Sequence, residues 1–139
     1  MTNPIQRGRA FEFRLDLLSG VPVYRQIIDQ VTGGMAAGTL AAGHQLPTVR
    51  QVAVDLSINP NTVMRAYREL EIRGVLETQQ GTGTFIGQQK VKRDEVERQR
   101  QLGQLVGEFV SRAGAAGFTI EEVLEQLDER RNHSDKTRR

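Results

Sequence analysis

The chain has 139 residues, 37% of them hydrophobic, enough for about one domain with a small core and too few for a Rossmann-type or barrel enzyme. It has no cysteine, which excludes disulfides, thiolate nucleophiles and cysteine-based zinc or iron–sulfur sites, and its two histidines, His44 and His133, stand far apart in unrelated surroundings. The net charge of +2 is mild, but residues 1–92 carry ten basic and seven acidic groups against nine and ten in 93–139, and most of the bases are arginines, suited to bidentate contact with phosphate and guanine.

No apolar run reaches the roughly 18 residues of a membrane span. The opening MTNPIQRGRA lacks the apolar stretch of a signal peptide, so a cytoplasmic protein without membrane partners is expected. Residues 1–10 read as a flexible arm. Phe11, Phe13, Leu15 and Leu17 alternate, as in a short extended segment. Pro22 suits a first helical turn, and Tyr24, Ile27, Ile28, Val31 and Met35 form one helical stripe behind it. Gly33, Gly34 and Gly38 weaken the end of that helix, and Gly43 marks a turn. Thr48 reads as the N-cap of a short second helix with Val49, Val52, Ala53 and Leu56 on its apolar face, ending near Ser57. Asn59 caps a third helix with Pro60 at its first position, Val63, Ala66, Tyr67 and Leu70 as its buried stripe, and Gly74 at its end. The period then changes. Residues 75–78 and 84–86 read as two short strands around a glycine-containing tip at 79–83.

Residues 88–101 are strongly polar, a solvated helix start or a linker. The helical period returns with Leu102, Leu105, Val106, Phe109, Val110 and Ala113. A small-residue break from Gly114 to Gly117 follows, then a capping box of Thr119 and Glu122, then a last stripe of Ile120, Val123, Leu124 and Leu127. The segment 131–139 has nothing to bury and is expected to be a disordered tail. The fold class is therefore mainly α with a small β-hairpin: a winged helix-turn-helix over 11–89 and a two-helix C-terminal region over 90–130.

Two short helices joined by a tight turn form a helix-turn-helix, and a hairpin directly after the second makes it winged. On the third helix Asn61, Arg65 and Arg68 lie opposite the buried stripe. Asn pairs with adenine, and Arg with guanine or phosphate. Asn61 and Thr62 stand in the first turn, where backbone N–H groups can also hold a phosphate. The same residues fit an ordinary solvated face, so a winged-helix protein-interaction module without specific DNA binding is the competing reading.

The wording of residues 46–85, LPTVRQVAVDLSINPNTVMRAYRELEIRGVLETQQGTGTF, closely resembles the DNA-binding domain of GntR-family transcription regulators. The short chain and the Asn-Pro-Asn-Thr turn resemble the YtrA-like subfamily, in which two helices follow the winged domain. The resemblance implies a dimeric repressor on a pseudo-palindromic operator, with a neighbouring transporter operon as its target. Arg50 takes the place of the family's DNA-contacting arginine, Asn61 and Thr62 take recognition-helix positions, and Gly81 takes the wing tip that approaches the minor groove. Pro60 stands where many relatives outside the subfamily have Arg, Gln79, Gln80 and Thr82 stand where basic residues are frequent, and His44 stands where an acidic residue is common. The candidate DNA contacts are Thr48, Arg50, Asn59, Asn61, Thr62, Arg65, Arg68, Gln80 and Gly81.

A two-helix hairpin cannot bury both of its stripes alone, so Leu102, Leu105, Val106, Phe109, Val110, Ile120, Val123, Leu124 and Leu127 are expected at a homodimer interface. Neither a catalytic set nor a cofactor is expected. Gly81 to Gly87 departs from the Gly-x-Gly-x-x-Gly phosphate loop, and Glu121, Glu122 and Glu125 suit the positive end of a helix dipole better than a metal. A small effector, if there is one, needs the dimer interface or the junction between domains, because few residues follow the wing.

Overall fold

The computed structural model describes residues 11–88 and 94–138. The arm expected at 1–10 lies outside the described residues. The chain divides into two compact units, Met1–Gln89 and Lys90–Arg139. The first holds α1 (Val23–Ala37), β1 (Gln45–Leu46), α2 (Val49–Leu56), α3 (Pro60–Ile72), β2 (Leu76–Gln79) and β3 (Gly83–Ile86). The second holds α4 (Glu95–Ala115) and α5 (Ile120–Arg138).

In the first unit the three helices bury the stripes read from the sequence. Ile27, Ile28 and Val31 of α1, Val52 and Ala53 of α2, and Val63, Ala66, Tyr67 and Leu70 of α3 meet in one core, closed by Leu40, Leu46, Leu76 and Ile86. Full burial of such a side chain stabilises by about 1.5–3 kcal/mol, so this cluster carries the unit. The sheet has three strands in the order β1-β3-β2, all antiparallel. The hairpin was legible, with Thr78 opposite Thr84 and Gln79 opposite Gly83. β1 was not, because two residues are too short to show a period. Its pairing of Gln45 with Phe85 and Leu46 with Thr84 creates it.

Two details of α1 and its approach differ in origin from the periodic pattern, because contacts distant in sequence make them. Residues 11–16 are extended without being a strand, because side chains supply the ladder. Gln30 accepts from Arg14 N at 2.8 Å and donates to Arg14 O at 2.7 Å, and Gln26 does the same for Asp16 N and O, both at 2.9 Å. Two amides four apart on a helix thus match two residues two apart on an extended chain. Phe13 is thereby buried, with Phe11 edge-on to it at 5.0 Å. The second difference lies at Gly33 and Gly34, which the helix runs through. Gly34 is buried, and a Cβ there would sit 3.0 Å from Leu40 Cδ1, so its smallness lets the following loop close over α1.

In the second unit α4 ends at Ala115, and Phe118 N donates back to Ala113 O at 2.9 Å. The capping box forms as read. Glu122 N donates to Thr119 Oγ1 at 3.2 Å, and Thr119 N donates to Glu122 Oε2 at 3.1 Å. The tail expected to be disordered from 131 is instead helix through Arg138. No Gly or Pro interrupts it, and Arg131 pairs with Asp128 at 2.6 Å.

Candidate nucleic-acid interface

Caps define both α2 and the turn that leads from it into α3. Thr48 Oγ1 accepts from Gln51 N at 3.1 Å and starts α2. Ser57 ends it in a left-handed conformation, φ 54°, the one such non-glycine residue among those described. Asn59 Oδ1 accepts from Asn61 N at 2.8 Å, and Asn59 O accepts from Thr62 N at 3.0 Å. Two of the nominated contacts, Thr48 and Asn59, therefore have their side-chain oxygens engaged in capping. Two of the first-turn N–H groups of α3, read as a phosphate cradle, are satisfied internally.

Tyr67 fixes α3 against the start of α2. Its hydroxyl donates to Pro47 O at 2.6 Å, and burial pushes the phenol well above its ordinary pKa, so it remains a donor at neutral pH. That bond sets the spacing between the recognition helix and the start of α2, where Thr48 and Arg50 stand.

Arg50, Asn61, Arg65 and Arg68 are exposed, and Thr62 is half-buried. Arg73 is paired with Glu69 at 2.8 Å, while Arg50 and Arg68 have no ion pair among the described residues and keep their charge for an outside anion. Arg65 behaves differently: its Cζ lies 3.8 Å from the centre of the Tyr24 ring on α1. Met64, absent from the candidate contacts, is 51% exposed beside Asn61 and Arg68 on the helical wheel. Its position outside the buried arc was the available signal.

At the wing, Thr82 N donates to Gln79 O at 3.0 Å, and Gly81 takes φ 77°. Gln80 and Gly81 are exposed at the tip. Gln45, also unnoticed in the sequence, donates from Nε2 to Thr82 O at 3.2 Å and ties β1 to the wing. A Cβ at Gly83 would lie 2.6 Å from that nitrogen.

On the second unit Leu102, Leu105, Val106, Phe109, Ile120, Leu124 and Leu127 are each more than half exposed, and Val110 and Val123 are partly buried. Among the described residues no cluster of His, Asp and Glu fits a metal, and no helix is long and apolar enough to cross a membrane.

Residues 23–86 match the family model of bacterial regulatory proteins, gntR family. The chain is 39% identical over 109 residues to the HTH-type transcriptional regulator YhcF of Bacillus subtilis, covering 78% of this chain and 89% of that one. It is 35% identical over 117 residues to the HTH-type transcriptional repressor YtrA of the same organism, covering 84% and 89%. A GntR family transcriptional regulator from Listeria monocytogenes aligns in structure with TM-score 0.56 and 31% identity, over 83% of this chain and 98% of that one. YtrA from Sulfolobus acidocaldarius aligns with TM-score 0.52 and 28% identity, over 71% and 97%.

Proposed function

The chain belongs to the GntR family of bacterial transcription regulators, and from that membership we propose that it is a homodimeric repressor that binds a pseudo-palindromic operator in the cytoplasm. The observation that carries the reading is the face of α3. Capped by Asn59, α3 presents Asn61, Arg65 and Arg68 opposite its buried stripe, with Arg50 of α2 exposed and without an ion pair among the described residues. Asn61 and Arg68 reach base edges in the major groove, Arg50 holds the flanking backbone, and the wing lays Gln80 and Gly81 beside the minor groove. The chain acts by occupying its site, with no catalytic step. Likeness to the repressor YtrA supports the sign of regulation, and the family resemblance supports a transporter operon as the target.

The dimer reading rests on the second unit. α4 has no buried residue, and its apolar stripe together with that of α5 exceeds what two helices can cover. A second copy covers both stripes and gives the two-fold symmetry that a palindromic operator requires. An effector, where one acts, meets the dimer at its interface or beside the winged domains.

Gel shift on genomic fragments at rising salt tests the proposal. Specific retardation that weakens steeply with salt is expected, since phosphate contacts release counterions. Absence of any salt-sensitive shift, with the chain folded, returns the winged domain to a protein-interaction role.

A further inference from the structure

α3 sends two side chains to two different neighbours. Tyr67 reaches the loop before α2, and Arg65 reaches α1, where its guanidinium lies over the Tyr24 ring at 3.8 Å. Tyr24 stands in the first turn of α1, partly buried against the core, so its ring is a fixed platform. A guanidinium over an aromatic face uses no N–H donor in that contact and keeps its donors for an acceptor outside. On the wheel of α3, Asn61 sits near the middle of the exposed face with Arg65 and Arg68 on opposite sides of it, and the Tyr24 contact marks Arg65's side as the α1 flank. The middle of a helix in the major groove meets base edges, and its flanks meet the phosphate strands that wall the groove.

We infer that Tyr24 positions Arg65 as a phosphate clamp. The ring holds the guanidinium on the α1 side of α3, where it grips the DNA backbone and leaves base readout to its neighbours. Arg25, exposed beside Tyr24, places a second cation at the same end of α1. Tyr24 is a positioning residue: it acts through Arg65. This inference rests on the DNA-binding reading above.

Anisotropy titrations of the full chain against a labelled random-sequence duplex, and against a duplex selected by the wild-type protein from a random pool, test it at several KCl concentrations. Arg65→Ala weakens both duplexes by the same factor and flattens the log–log salt slope by about 0.9 for each Arg65 removed. Tyr24→Leu weakens both about two- to fivefold, and Tyr24→Phe, which keeps the ring, restores wild-type binding. Once Arg65 is Ala, Tyr24→Leu adds no further loss. In the DNA-free protein, ring-current shifts of the Arg65 side chain persist in Tyr24→Phe and vanish in Tyr24→Leu. Three results overturn the inference: additive losses in the double variant, a Tyr24→Phe variant as weak as Tyr24→Leu, or an Arg65→Ala effect confined to one base position. A wild-type chain that binds neither duplex overturns the DNA reading itself, and the inference with it.

Discussion

Arg50 and Arg68 are the side chains whose loss reports most directly on DNA contact, because both are exposed and neither is tied into an ion pair among the described residues. Replacing either with Ala costs about 1–3 kcal/mol of specific binding and leaves circular dichroism unchanged. Normal operator affinity in both variants removes them from the interface. Tyr67 is the opposite case, a buried group whose removal is felt by the fold. Tyr67→Phe leaves the Pro47 carbonyl without its phenol donor and costs about 1–2 kcal/mol of stability. The folded state holds the phenol proton more tightly than the unfolded chain, where tyrosine titrates near 10.0. The stability linked to that proton is therefore whole below this value and falls as pH rises above it. Chemical denaturation from pH 8 to about pH 11 should show a steeper alkaline loss in the wild type than in Tyr67→Phe; parallel curves count against the burial argument.

At the scale of elements, the wing depends on two glycines for different reasons, a close approach at one and a positive φ at the other. A Cβ at Gly87 would lie 2.7 Å from Gly74 O and 3.3 Å from Val75 O, and backbone atoms cannot swing aside. Gly87→Ala should destabilise the winged unit by about 1–3 kcal/mol, read as a lower urea midpoint. Gly81 has open space around it and a φ of 77°, so Gly81→Val strains only the tip. Its helices stay folded, and footprinting should show minor-groove protection fading before major-groove protection. Simultaneous loss of both would make the hairpin a prop for α3 and not a contact.

At the scale of the whole molecule, the two units divide the work. The buried hydrophobic residues of the described chain all lie in the first unit, and the second keeps its stripes exposed. A fragment ending at Lys92 should fold with modest stability, sediment as a monomer and engage one half-site. The full chain engages two, and the second engagement is effectively intramolecular, raising avidity by about 10²–10⁴. The full chain should also prefer half-sites about 10 base pairs apart, or a multiple of that, and the fragment should be indifferent to spacing. A fragment that dimerises, or binds as tightly as the full chain, moves the interface into the winged domain.

Helix periods, caps and the hairpin were legible in the sequence because each is local. Thr48, Asn59 and Thr119 announce helix starts through bonds to residues two or three away, and the α3 stripe needs only the helical repeat. The exposed face of α3 and the two uncovered stripes of the second unit follow from the same periodicity. What the tertiary structure alone decided depends on residues distant in sequence. β1 exists because β3 pairs with it, the 11–16 segment is held by Gln26 and Gln30, Gly34 is needed because Leu40 folds over it, and Gln45 reaches the wing. Arg65 is the sharpest example. Its place on the wheel marks it as free, but the packing of α1 against α3 sets a Tyr24 ring beneath it. A helical repeat specifies which face a residue occupies, and only the neighbouring element specifies what waits there.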